Sequence, residues 1–194
     1  STLGLFDRMG LDVGNTITQF QDLNFKLNFP TKNAGEFSIF GVGGLSQLTR
    51  EGQTGRFQNR DIKEYDMGVI GLSHRYKVGE KTYMYNVFSF SGNRETYSFE
   101  EENAAGNLRE LWRYRSHNLI FRTSIQLNTV VNKHHSVRYG VIGSWLRFGM
   151  MEGANDPNFG YLFAYRAGVY TGQLQGYIQW KYRPTERLTL NTGV

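Results

Sequence analysis

Four short turns, centred near Asn33, Gly79, Lys133 and Thr185, divide the chain at intervals of 46, 54 and 52 residues. No other feature restricts the fold as much. Each interval holds two stretches of alternating apolar and polar residues with a polar segment between them, and side chains that alternate between two faces belong to a β-strand. The spacing therefore predicts an antiparallel up-and-down meander of about eight strands. Short turns fall at one end and longer polar connections, near Gln53, Asn103 and Asp156, at the other.

The last hairpin shows the pattern best. Leu174, Ile178, Trp180 and Tyr182 lie on one side of an extended chain, with Gln175, Gln179, Lys181 and Arg183 on the other. Pro184 cannot donate a ladder hydrogen bond, so Pro184-Thr185-Glu186 is a turn. The alternation restarts with Leu188, Leu190, Thr192 and Val194. Earlier, Leu23, Phe25, Leu27 and Phe29 alternate with Asn24, Lys26 and Asn28 up to a turn over residues 30–35. Residues 36–45 return as a strand in which Gly41, Gly43 and Gly44 admit bending or close backbone approach. Residues 65–76 and 82–91 pair around 77–80, with apolar residues on both sides. Leu119, Phe121, Ile125 and Leu127 alternate with Asn118, Arg122, Ser124, Gln126 and Asn128. A turn at 132–135 then leads into Val137, Tyr139, Val141 and Trp145. Residues 49–60, 93–111 and 148–161 read as long polar loops, the second with room for a helical turn, and residues 1–19 as irregular with an apolar opening at Leu3, Leu5 and Phe6. The alternation assigns Leu119, Phe121, Ile125, Leu127, Ile178 and Trp180 to an outward face and Arg122, Gln126, Gln179 and Lys181 to an inward one.

Composition narrows the class. The chain of 194 residues suits one sizeable domain, and no shift in composition marks a boundary. It has no Cys, hence neither a disulfide framework nor a thiolate metal site. Aromatic residues make up 15%, and 23 Gly against 3 Pro favour long twisted strands over helices. The net charge is +5, but the basic residues are spread singly over many polar strand faces, which argues against a nucleic-acid partner. No apolar run approaches the ~18 residues of a membrane-spanning helix, whereas a barrel strand needs only ~9–11 alternating residues. The negative mean hydropathy is therefore no argument against a membrane. One apolar face, one face of amides and charges, and aromatic residues near the strand ends are what a strand between lipid and an aqueous lumen presents. A self-contained barrel of about eight strands, acting as passive pore, adhesin or anchor, and a soluble barrel binding a small apolar ligand would alternate likewise.

Little in the chain points to catalysis or to a cofactor. Gly41-Val42-Gly43-Gly44 lies within a strand and lacks a following Lys-Ser/Thr, so bending or packing explains it better than phosphate binding. The adjacent His134 and His135 point to opposite sides of an extended chain and cannot share a metal without distortion. Glu100, Glu101 and Glu102 lack the spaced acids of a calcium loop. His117 with Ser116 or Ser124 has no aligned third partner for nucleophilic catalysis. Arg109, Trp112, Arg113 and Arg115 cluster where a polar segment enters a strand. Such a basic-aromatic mouth suits an anionic substrate or lipopolysaccharide phosphates, or anchors the chain at a membrane interface.

The runs YIQWKYRPTERLTLNTGV, DLNFKLNFPTKNAGEFSIFGVGG and MGVIGLSHRY resemble barrel strands of TonB-dependent receptors, particularly the Bacteroidetes type with a carboxypeptidase-regulatory-like extension. The resemblance covers most of the chain and rests on strand and turn style. It implies a transmembrane barrel of about 22 strands filled by an N-terminal plug. It also implies energised nutrient uptake through the TonB complex in the outer membrane of a Gram-negative bacterium. Residues 1–194 are then one segment of that barrel domain, without the plug, the TonB box or the remaining strands. The implied partners are outer-membrane lipid, lipopolysaccharide, the TonB complex through an N-terminal region, and a surface lipoprotein. The alternating pattern is still running at Val194, so this reading expects further strands and a sheet that does not close on itself.

Overall fold

The alternating stretches pair into one antiparallel sheet in the computed structural model, which describes residues 16–156 and 159–194. Its strands are β1 (Thr16–Pro30), β2 (Glu36–Thr54), β3 (Phe57–Gly79), β4 (Thr82–Glu102), β5 (Leu108–Val130), β6 (His135–Asp156), β7 (Gly160–Tyr182) and β8 (Leu190–Gly193). They lie side by side in chain order. The fold is all-β and up-and-down, with no helix among the described residues.

Register resolves the faces. Phe25 stands opposite Gly41, Gly41 opposite Ile70, Ile70 opposite Phe90, Phe90 opposite Phe121, and Phe121 opposite Trp145. Directly opposed residues share a face. This row, with every second residue along each strand, therefore builds one apolar face across the sheet. Leu127, Tyr139 and Ile178 form a parallel row, as do Val137 and Trp180, so the six residues expected to share a face do so. Arg122, Gln126, Gln179 and Lys181 lie on the other face, where Tyr177 Oη donates to Gln126 Oε1 at 2.8 Å. In β3 and β4, where the pattern is ambiguous, the register puts Ile70, Leu72, Phe88 and Phe90 on the apolar face and Val69, Tyr85 and Val87 opposite.

The polar segments expected as long loops are strands. β2 runs to Thr54 and β3 starts at Phe57; β4 runs to Glu102 and β5 starts at Leu108; β6 runs to Asp156 and β7 starts at Gly160. The tightest of these turns holds Gly55 at φ 64°, a conformation that costs Gly little. Alternation stops where both faces meet water, but the backbone ladder continues. Glu51, Arg60 and Glu100 stand opposite one another in three strands, and Arg60 reaches both carboxylates, at 3.1 and 3.7 Å. Residues 103–107 form a turn, with Asn103 Oδ1 accepting from the Ala105 and Asn107 amides, and no helix. The assignment of ends holds: the turns near Asn33, Gly79, Lys133 and Thr185 lie at one end and those after Thr54, Glu102 and Asp156 at the other. Residues 16–19, expected to be irregular, belong to β1. Leu3, Leu5 and Phe6 lie outside the described residues. The last strand starts at Leu190 and not Leu188, whose amide donates to Thr185 Oγ1 within the turn.

The apolar face covers only part of each strand. On β5 it spans Leu119 to Leu127, close to the roughly 9–11 residues with which a tilted strand crosses a bilayer. Beyond Leu119 the same face carries His117, Arg115 and Arg113. Its other border is aromatic: Phe37 stacks on His74 at 4.2 Å, and His135 on Tyr182 at 4.6 Å and Trp180 at 5.5 Å. The strands thus overshoot the apolar band at the end away from the short turns. Within the band Phe25 lies over Gly41, where a Cβ would come within 2.5 Å of the ring, so packing accounts for this glycine. The sheet is a single layer: no hydrophobic residue among the described ones is buried, and Phe121, Ile125 and Trp145 keep half or more of their surface exposed. β1 and β8 end the strand order and do not pair with each other among the described residues.

Candidate functional site on the polar face

Where the strands overshoot the band, the polar face gathers aromatic rings and carboxylates. Tyr97 of β4 and Tyr114 of β5 are directly opposed, and Trp112 follows Tyr114 on the same face two residues along. The indole and the Tyr114 ring are nearly parallel, 13° apart with centroids at 6.4 Å, and Tyr97 meets the indole edge-on at 5.1 Å. Carboxylates of neighbouring strands hold these rings. Trp112 Nε1 donates to Glu152 Oε1 at 3.1 Å, and Tyr97 Oη donates to Asp61 Oδ1 at 2.6 Å. Lys63 Nζ stands over the Tyr97 ring at 5.1 Å. The Asp61 hydrogen bond, helped by partial burial and the Asp61 charge, pushes the Tyr97 phenol above its ordinary value of 10.0, so it remains a donor at neutral pH.

The basic-aromatic cluster of the sequence is divided by the strand. Trp112 lies on the polar face, whereas Arg113 and Arg115 lie on the apolar face beyond its border. Leu111 is an extra residue in β5, where the pairing passes from Phe99 and Trp112 to Glu100 and Glu110. Beyond this bulge Arg109, opposite Glu101, returns to the polar face, and its Nη2 donates to the Asn155 carbonyl at 3.2 Å. Arg113 forms an ion pair with Glu110. Asp61, Lys63, Tyr97, Tyr114 and Glu152 were missed from sequence because their convergence depends on register. The Trp112-x-Tyr114 spacing was the one local signal for them.

The other candidates are also placed. His117 faces the apolar side, its ring where a Cβ on Gly149 would lie, while Ser116 and Ser124 face the polar side. His134 Nδ1 bonds the Arg183 carbonyl at 2.7 Å, and His135 is stacked against the Tyr182 and Trp180 rings. Glu100 pairs with Arg60, and Glu102 Oε2 accepts from the Gln58 amide. Flat rings edged by fixed carboxylates and a cation suit the binding of a polar ligand.

No family model and no curated protein matches the sequence. Among solved structures, the ferric yersiniabactin uptake receptor FyuA from Yersinia pestis matches with a TM-score of 0.66 over 92% of this chain, at 12% sequence identity. The sheet has the fold of part of a receptor barrel. This chain spans 27% of the length of that receptor, and at this identity the likeness is one of fold.

Proposed function

We propose that the chain forms a wall segment of a TonB-dependent transporter in the outer membrane of a Gram-negative bacterium, serving energised uptake of a nutrient. The observation that carries this reading is the apolar face, which nothing among the described residues covers. Leaving its Phe, Leu, Ile and Trp side chains in water forgoes roughly 1.5–3 kcal/mol each, so the face calls for lipid. The polar face then lines the lumen, and the fold likeness to an uptake receptor agrees with that. In this reading Trp112 and Arg109 contact cargo from the lumen wall, and Arg113 and Arg115 stand at the outer interface. The whole protein is a barrel of about 22 strands with a plug, coupled to the TonB complex and accompanied by a surface lipoprotein. The Bacteroidetes type with its carboxypeptidase-regulatory-like extension is the finer assignment.

Two measurements on the intact protein test this. It should fractionate with outer membranes and resist carbonate extraction, and uptake of its nutrient should cease when the TonB complex is inactivated. Recovery in the soluble fraction would overturn the membrane placement. Uptake independent of the TonB complex would favour a passive pore.

A further inference from the structure

An open groove of about 850 Å³ runs along the apolar face of β1 to β5. Leu23, Phe25, Ile70, Phe90 and Leu119 form its apolar walls. Gly43, Gly68 and Gly92, directly opposed across three strands, leave its floor without side chains. At the end nearer the long overshoot it meets Asp66, Arg94 and His117. The groove is therefore apolar along its length and charged at one end.

That end belongs to a basic tract. On the same face Leu119 opposes Arg147, and Arg147 opposes Tyr170, over whose ring its guanidinium lies at 5.4 Å. Two steps further along the same face, past His117, Arg115 opposes Met151 and Met151 opposes Arg166. Arg94 is matched by Asp66 and Arg113 by Glu110, but Arg115, Arg147 and Arg166 have no ion pair among the described residues. Three cations without an ion pair among the described residues thus stand at the border row of the apolar band or just beyond it, on the side that would meet lipid.

We infer that this face holds one anionic lipid of the surrounding leaflet, its acyl chain in the groove and its phosphates against Arg115, Arg147, Arg166 and His117. The inference rests on the membrane reading above and adds to it a lipid class and its contacts. Charge complementarity decides the occupant. A peptide helix or a second copy of this sheet would satisfy the apolar walls but would leave the three arginines uncompensated, whereas a phosphorylated lipid satisfies both. Guanidinium groups match phosphate oxygens in forked geometry, and interfacial arginines keep their stems on the apolar surface while their heads stay wet.

The test uses the intact protein in nanodiscs of phosphatidylethanolamine, doped either with diphosphorylated lipid A or with its phosphate-free form, and counts retained lipid by native mass spectrometry. The diphosphorylated form should be retained selectively. Replacing Arg115, Arg147 and Arg166 together by Ala should weaken that retention on the order of a hundredfold, because each cation near an anionic surface contributes several-fold. Gly68→Leu should also reduce it by filling the groove, since a Cβ there meets nothing closer than the Val42 carbonyl at 3.7 Å. Equal retention of the phosphate-free lipid, or retention unchanged in the triple variant, overturns the inference. Displacement by millimolar inorganic phosphate would identify a free-phosphate site and overturn the lipid assignment. Carbonate-resistant insertion is scored on the same samples: insertion without selectivity defeats this inference alone, and failure of the unmodified protein to insert defeats the membrane reading.

Discussion

Arg122 of β5 donates its Nε hydrogen to Ser144 Oγ of β6 at 3.1 Å, while Phe121 and Trp145, one residue away in each strand, oppose each other on the far side of the sheet. A polar pair and an apolar pair are thus separated by one backbone thickness. The chain has no Cys, so single cysteines report each face cleanly. In the membrane-inserted protein, Arg122→Cys and Gln126→Cys should react with a charged maleimide, and Ile125→Cys and Trp145→Cys should not. Labelling at Ile125→Cys as fast as at Gln126→Cys would remove the lipid-facing assignment.

The same neighbours predict opposite tolerance to charge. Ile125→Arg places a cation in the apolar band and should cost about 2–4 kcal/mol near the bilayer midplane. Gln126→Arg keeps its charge on the polar face but gives up the acceptor of the Tyr177 hydroxyl, and should cost only about 0.5–1.5 kcal/mol, the net worth of one hydrogen bond. Denaturant midpoints in vesicles measure both, and equal losses at the two positions would contradict the facing.

Gly41 and Phe25 should be coupled. A Cβ at position 41 would lie 2.5 Å from the Phe25 ring, so Gly41→Ala must push aside the far end of that exposed side chain, at a cost of about 0.5–1.5 kcal/mol for an off-rotamer ring. In the Phe25→Ala background the same change should be nearly neutral. A double-mutant cycle with no interaction between them would mean that the ring does not rest on the glycine.

Tyr97 gives the pH prediction. The Asp61 carboxylate favours the protonated phenol, so the folded-state pKa lies above the ordinary 10.0. The stabilisation is fully present below that ordinary value and is lost as the pH rises through the higher folded value. The difference between the ultraviolet titrations of the unmodified protein and of Tyr97→Phe should therefore show a phenol ionising above 10.0. Asp61→Asn should bring it back down. A Tyr97 that titrates at the ordinary value in both backgrounds would mean that this hydrogen bond does not form.

The sequence carried the band better than the overshoot, for a physical reason. Between Leu119 and Leu127 one face must be apolar and the other polar, so the period of two is written into the residues. Near Glu51, Arg60 and Glu100 both faces are wet, and the strands continue through backbone bonds and cross-strand charges that have no period. The face assignments of Trp112, Arg113 and Arg115 follow from simple alternation, but Arg109 needs the bulge at Leu111, which composition does not signal. The meeting of Asp61 with Tyr97 and of Glu152 with Trp112 depends on register across strands, and no local pattern encodes it.

The sheet's two margins lead to the last prediction. β1 pairs only with β2, and β8 covers β7 only near Gln179–Tyr182, which leaves most of β7 from Gly160 onward without a ladder partner on its outer side among the described residues. Unpaired backbone donors and acceptors cost several kcal/mol each in hydrocarbon, and in water they recruit other edges. Further strands should therefore cover both margins in the intact protein. Residues 1–194 expressed alone in detergent should form mixed oligomers or aggregates that lose their β-structure on mild heating, because among the described residues the outer edge of β1 and most of that of β7 have no ladder partner. A monodisperse, heat-resistant monomer with full β-structure would show instead that the sheet closes on itself, and the self-contained small barrel would then be the better reading.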